Sequence, residues 1–138
     1  MKKIQTQKEK IEISKFINEV GTEENGAVSV FIGRPRKEAE KREVKFIDYE
    51  IFESMALKEL NKIVDDAFAR WPITDCIVVH RYGRVELQEA SIIIAVSSPH
   101  REESFASVKY IIDTIKKTVP IWKTLHYTDG TSRVFDRS

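Results

Sequence analysis

Apolar and polar residues along this chain change period several times, and each change marks an element. Ala27-Val28-Ser29-Val30-Phe31-Ile32 is rich in β-branched and aromatic residues and stops at Gly33, which predicts a strand over 27–32. Val44 to Glu50 alternates strictly, with Val44, Phe46 and Asp48 on one side and Lys45, Ile47 and Tyr49 on the other. That is a second strand. From about Ser54 the period lengthens: Leu57, Leu60, Ile63, Val64, Ala67, Phe68 and Trp71 recur at three- and four-residue steps until Pro72, which predicts a helix. Cys76-Ile77-Val78-Val79-His80 and Ile92-Ile93-Ile94-Ala95-Val96 read as two buried strands, with Val85-Glu86-Leu87 a candidate third between them. Ahead of all these, Phe16, Ile17 and Val20 make one or two helical turns before a turn-rich boundary at Gly21–Gly26. Lys37 to Glu43, six charged residues out of seven with no period, is expected to be a mobile solvated loop.

The last periodic segment predicts the longest-reaching element. Ser98 can act as N-cap and Pro99 as the first helical residue, with Glu102 and Glu103 in the first turn where the helix dipole favours acids. The helix should run to Thr118. Phe105, Val108, Ile111, Ile112, Ile115 and Val119 then form one apolar stripe toward the core. Lys117 projects away from that stripe, whereas Lys116 falls about 75° from its centre, on the shoulder between core and solvent. Lys116 is therefore the lysine that can line a cleft.

Composition narrows what such a fold does. A chain of 138 residues fits one domain, taken here as 1–138, and the longest apolar runs fall far short of a bilayer span. Met1-Lys2-Lys3 leads into Lys8-Glu9-Lys10 rather than a signal-peptide core, so a cytoplasmic location is expected. Twenty-three basic against 22 acidic residues leave a formal charge of +1, which argues against a broad basic surface for nucleic acid or membrane. Any anion site must be local. The single cysteine, Cys76, excludes an intrachain disulfide or a relay between two thiols of this chain, and its apolar strand makes it a packed thiol rather than a nucleophile. His126 has no ligand partner at metal-site spacing, so no metal and no cofactor are expected.

Local anion sites are easy to find. His100 and Arg101 stand in the first turn of the last helix, where free N–H groups already favour an anion, although Arg101 could equally pair with the nearby glutamates. Lys123 follows the rigid Pro120-Ile121-Trp122. Beside an indole and other cations its charged form is disfavoured, so it could exchange a proton near neutral pH, or it could simply snorkel to the surface. Arg34 and Arg36 straddle Pro35 at a strand end, as a phosphate clamp or as solvated charges. His80-Arg81 ends a buried strand before Gly83, where a histidine most often serves local backbone groups.

In order and spacing, several of these segments resemble the large catalytic subunit of molybdopterin synthase, from about Gly26 to Val134. The resemblance is carried by Gly26-Ala27-Val28 leading to Phe31-x-Gly33-x-x-Arg36, Tyr49-Glu50 with Met55-Ala56, Ala69-Arg70-Trp71, and His80-Arg81-x-Gly83. It continues through Ser98-x-His100-Arg101, Lys116 six residues before Trp122, Val119-Pro120-Ile121-Trp122-Lys123, and Asp129-Gly130. It implies an α+β fold of the α/β-hammerhead type, with a mixed or antiparallel sheet and packed helices, and a homodimer carrying a small ubiquitin-like partner at each end. That partner's Gly-Gly tail would bring sulfur as a C-terminal thiocarboxylate, and two transfers would turn cyclic pyranopterin monophosphate into molybdopterin. On this sequence the resemblance implies Lys116 and Lys123 as catalytic residues, and Arg36, His100 and Arg101 as substrate-binding ones. Arg34 is an additional candidate. A docking module that keeps the groove for a Gly-Gly tail but does not catalyse is the alternative.

Overall fold

A strand with no polar face must be covered on both sides, so the unbroken apolar runs after Pro72 belong at the centre of the molecule. The structure, a computed structural model, describes residues 1–135; the last three residues of the expected 1–138 domain lie outside it. In chain order the elements are β1 (Lys2–Gln7), α1 (Ile13–Glu19), β2 (Ala27–Gly33), β3 (Glu38–Ala39), β4 (Arg42–Ile51) and α2 (Glu53–Arg70). They continue with β5 (Asp75–Arg81), β6 (Gly83–Glu86), β7 (Ile92–Ser98), α3 (Arg101–Thr118), β8 (Ile121–Tyr127) and β9 (Ser132–Phe135). No helix among the described residues is long and apolar enough to cross a membrane.

The first sheet has the order β1-β5-β7-β2, with β1 parallel to β5 and the other pairs antiparallel. Alternation divides its central strands between two cores. Cys76, Val78, Ile92, Ile94 and Val96 face the main core, while Ile77, Val79, Ile93 and Ala95 face a smaller one that Phe16 of α1 fills from the other side. The second sheet, all antiparallel, has the order β3-β4-β8-β9, and β6 also pairs with β4. Its inner residues Val44, Ile47, Tyr49, Ile121, Leu125 and Tyr127 join α2 and α3 in covering the main core. This is the mixed α+β architecture expected.

Several local expectations are corrected. The charged segment 37–43 is not a loop throughout: Glu38-Ala39 pairs with Arg42-Glu43, and Glu40 and Lys41 form the turn with φ of 52° and 62°. Positive φ at both turn positions matches the right-handed twist of a tight hairpin, and Glu40 is held there by an ion pair with Arg133. In β4, a bulge between Val44 and Phe46 breaks the strict alternation, so Val44 turns inward with Ile47 and Tyr49 while Lys45 stays exposed. Ser98 does not cap α3. It remains in β7, paired with Ala27, and its hydroxyl donates to the His100 carbonyl at 2.5 Å, leaving His100 at the N-cap with no side-chain cap.

The inward face of α3 is also rotated from the predicted stripe. Ser104, Ser107, Ile111 and Ile115 are its buried residues, and Phe105 is 62% exposed. Two serines let the helix lie close to the sheet: the Ser104 and Ser29 hydroxyls meet at 2.7 Å, and Ser107 donates to the Ser104 carbonyl. A phenylalanine in that row would hold the helix off β2, so Phe105 is displaced over the strand's free edge.

Gly26 fastens the start of β2 to the start of α3. Its amide donates to the Pro99 carbonyl at 3.1 Å, and a Cβ on Gly26 would stand 2.7 Å from that oxygen. Because the obstacle is backbone, Gly26→Ala should destabilise the fold by about 1–3 kcal/mol. A lower urea midpoint at unchanged m-value is the expected result; an unchanged midpoint would mean that the two backbones separate freely.

Candidate active site

Where β2 runs into β3, the ends of β5 and α3 and the inner face of β4–β8 surround a cavity of about 420 Å³. Its basic groups come from distant parts of the chain. Arg34 and Arg36 enter from the turn after β2, Lys116 from the last turn of α3, and Lys123 from β8. Phe31, Ile47, Ile112, Ile115 and Leu125 supply apolar wall, and Tyr49, His80 and Ser91 add uncharged polar groups.

The inward placement of Lys123 follows from strand geometry. In β8 the residues Ile121, Leu125 and Tyr127 are buried, and Lys123 shares their side of the strand at the two-residue period. It pairs in register with Tyr49 of β4 on one side and with Phe135 of β9 on the other, its ammonium 5.8 Å from the Phe135 ring centre. Burial, reinforced by the charges of Lys116 and Arg36, holds its pKa below the ordinary lysine value. No carboxylate forms an ion pair with Lys123, Lys116, Arg34 or Arg36 among the described residues. Lys116 lies one position beyond the buried Ile115 and lines the cavity, whereas Lys117 does not. The cluster can attract an anion, stabilise negative charge that develops there, and offer one amine that loses its proton more readily than usual.

His100 and Arg101 are not in this cavity. They stand at the opposite end of α3, about 22 Å along its axis from Lys116. Both are exposed, and Arg101 forms no ion pair among the described residues, so the glutamate pairing considered from sequence is not made. Cys76 is fully buried, its thiol pushed up to about 12 mainly by burial, which leaves it without nucleophilic character. His126 lies on the outer face of the second sheet, stacked on Phe46 and 3.3 Å from Asp48.

Three lining residues, Tyr49, Ser91 and His80, were not among the site residues expected from sequence, although His80 does serve a local backbone group, the Arg81 carbonyl, as expected. Burial raises the Tyr49 phenol, partly opposed by the Ser91 hydroxyl beside it. The imidazole of His80, only 2% exposed, is driven down to about 4 chiefly by burial, with the Lys116 charge adding to the effect and the hydrogen bond to the Arg81 carbonyl opposing it. One signal was available: His80 follows Cys76 and Val78 at the two-residue period, which places it in the core-facing row.

Fold and site thus define a two-sheet α+β protein whose reactive groups gather in one half-buried cationic cavity and which has no reactive thiol of its own. The MoaE protein family profile matches residues 6–118. "Molybdopterin synthase catalytic subunit 1" of Aedes aegypti is 43% identical over 123 residues, covering 88% of this chain and 79% of that protein. The "Molybdopterin synthase catalytic subunit" of Taeniopygia guttata is 45% identical over 127 residues, covering 91% and 82%. Among solved structures, molybdopterin synthase from Staphylococcus aureus superposes with a TM-score of 0.90 at 34% identity, covering 98% of each chain. The chain belongs to the MoaE family.

Two titrations check this electrostatic picture. The Lys123 ammonium should titrate below the ordinary lysine value, and removing either neighbouring charge, with Lys116→Gln or Arg36→Gln, should move it upward in an NMR titration. A value that does not respond would mean the cations are too far apart to interact. For His80 the folded-state pKa lies below that of the unfolded chain, so the unfolded state takes up the proton first as pH falls. Its contribution is intact above about pH 6.5 and lost progressively down to about pH 4, amounting to about 3 kcal/mol. Urea melts of wild type and His80→Gln should diverge only across that window.

Proposed function

We propose that this chain is the catalytic subunit of a cytoplasmic molybdopterin synthase. It takes sulfur from the C-terminal thiocarboxylate of a small ubiquitin-like subunit ending in Gly-Gly and transfers it to cyclic pyranopterin monophosphate, forming the dithiolene. The observation that carries this reading is the cavity in which Lys116, Lys123 and Arg36 converge without a counter-ion among the described residues. Both reactants are anionic, so a cluster of cations draws them together and offsets their mutual repulsion. In each of the two transfers the thiocarboxylate sulfur bonds to the pterin side chain as an oxygen leaves, and water then cleaves the acyl–sulfur bond and releases the partner's tail as a carboxylate. Lys116 would stabilise the developing charge while Lys123, with its weakened hold on a proton, would exchange protons at the reacting centre. A buried, high-pKa Cys76 agrees with sulfur arriving from outside the chain.

His100 and Arg101 fit this reading through a homodimer. Along one chain they cannot touch a ligand held by Lys116, but β2 is an edge strand whose outer side has no partner among the described residues, flanked by a groove containing Val28, Phe105, Val108 and Ile112. Val28 is 45% and Phe105 62% exposed, an apolar edge that a soluble protein normally covers. Antiparallel apposition of two β2 strands would bring Gly26 of one copy beside Gly33 of the other. Since Gly26 is bonded to Pro99, His100 and Arg101 of the second copy would then approach the Arg34–Arg36 end of the first. Each cavity would be completed in trans with a helix N-terminus for the phosphate.

Purified protein mixed with thiocarboxylated partner and cyclic pyranopterin monophosphate should yield dithiolene, and Lys123→Ala or Lys116→Ala should lower the rate roughly 10²- to 10⁴-fold. Partner binding without product would favour the docking module instead. The dimer has its own test. Phe105→Glu should give a monomer by light scattering. Separately inactive Lys123→Ala and His100→Ala/Arg101→Ala proteins should regain activity when mixed and re-equilibrated, because one of the two sites in the mixed dimer is intact. Failure to complement would show that His100 and Arg101 have no part in a site shared between two copies.

A further inference from the structure

His80 is anchored from behind and open in front. Its Nδ1 lies 2.8 Å from the Arg81 carbonyl, a contact that needs the proton on Nδ1, since a carbonyl can only accept. The neutral ring therefore carries a bare lone pair on Nε2. Among the described residues nothing donates to that nitrogen, although the side chain is 98% buried as judged by its 2% exposure. The edge of the Tyr49 ring, with centroids 5.4 Å apart and planes at 70°, fixes the imidazole from the side, and the ring borders the cavity together with Ser91. An acceptor with no protein donor is normally satisfied by water or a ligand, and Nε2 is not among the fully enclosed unpaired side-chain atoms of the described residues. Here the one open direction is the cavity.

The cavity's polar groups are also segregated by charge. Arg36, Lys116 and Lys123 are cationic donors suited to anionic parts of a ligand, and none of them can read an N–H group. The neutral imidazole is of the opposite kind. Its resistance to protonation matters, because an imidazolium would be one more donor among cations and would repel the donor end of a ligand.

We infer that His80 is a substrate-binding residue of this cavity, its Nε2 accepting a hydrogen bond from a ring N–H or amino group of the heterocyclic end of the substrate while the cations hold the anionic end. This rests on the pterin-binding reading above and deepens it by assigning the orientation of the ligand: heterocycle toward Tyr49, His80 and Ser91, phosphate toward the cations. The contact would be selective, since a ligand lacking the donor would cover the lone pair without pairing it.

The test compares His80→Phe, which keeps a ring but has no acceptor, with His80→Gln, whose side-chain oxygen can reach the same space. Calorimetric titration with cyclic pyranopterin monophosphate should show binding weakened roughly 5- to 100-fold in His80→Phe and largely restored in His80→Gln. Inhibition by inorganic phosphate, which engages only the cations, should be unchanged in both. A folded His80→Phe that binds the pterin like wild type overturns the inference, as does a parallel loss of phosphate inhibition, which marks a general disturbance of the site. If His80→Phe does not fold, wild-type protein with ¹⁵N-labelled histidine decides: the Nε2 resonance should move toward that of a hydrogen-bonded acceptor on adding the pterin and stay put on adding phosphate, and an unmoved resonance rejects the contact. Wild type that fails to bind the pterin at all removes the functional reading itself, an outcome separate from a failure confined to His80.

Discussion

Pairing of β8 with β4 is the constraint on which the site depends. Register sets Lys123 opposite Tyr49, and the two-residue period of β8 sets it in the same row as Ile121, Leu125 and Tyr127. A lysine in that row points into the cavity rather than out from the sheet, so its ammonium is half-buried and held near the charges of Lys116 and Arg36. The fold tolerates this because the rest of the row is well buried: the main core brings together both sheets and two helices, and a single disfavoured charge is small against that burial. A slip of one residue in β8 would expose Lys123 and bury Trp122 and Thr124 in its place.

The same logic places the remaining groups. Lys116 ends α3 where the helix meets the second sheet, Arg34 and Arg36 leave β2 where its pairing with β7 stops, and His80 is among the last residues of β5. Each is an element end, where a side chain can face the core interior without interrupting a ladder. The rigid part of the cavity is the side built from strands. The cationic side is more exposed, with Arg34, Arg36 and Lys116 all reaching solvent. A floor that selects and a rim that attracts is a reasonable division for a pocket that must admit both a peptide tail and a small phosphate ester.

Legibility followed burial. α2, β5, β7 and α3 were readable because each buries one face or both, which imposes a period on the sequence. β1 was not: Lys-Lys-Ile-Gln-Thr-Gln has no apolar face, and it is a strand only because β5 offers it a parallel edge some seventy residues away, Lys2 against Cys76. β8 carries the alternation Ile121, Lys123, Leu125, Tyr127, but a lysine at an inward position disguises it, and Pro120 reads as a break. The hairpin at 38–43 is held by backbone pairing and by Arg133, far away in sequence, so its local composition reads as loop. Within the site, 100° steps were enough to separate Lys116 from Lys117. Periodicity says which way a residue points but not which end of a helix shares a cavity with which strand; it was the resemblance that grouped His100 and Arg101 with Arg36, and within one chain the fold holds the pair at the far end of α3 from Lys116.

That separation also explains why so much charge can be gathered in a nearly neutral protein. Placed in one monomeric cavity, Arg36, Lys116, Lys123 and Arg101 would repel one another throughout folding, with no carboxylate paired to them among the described residues. At opposite ends of an 18-residue helix the two groups hardly interact, since they stand beyond the screening length of about 8 Å at physiological ionic strength. The proposed division of the site between two copies would defer the repulsion until association, where burial of Val28, Phe105 and their neighbours would oppose it and anionic ligands would neutralise it. On the proposed dimer, the exposed apolar edge of β2 and the distance of His100 and Arg101 from Lys116 would be two consequences of one arrangement: the full cationic site would assemble only on association.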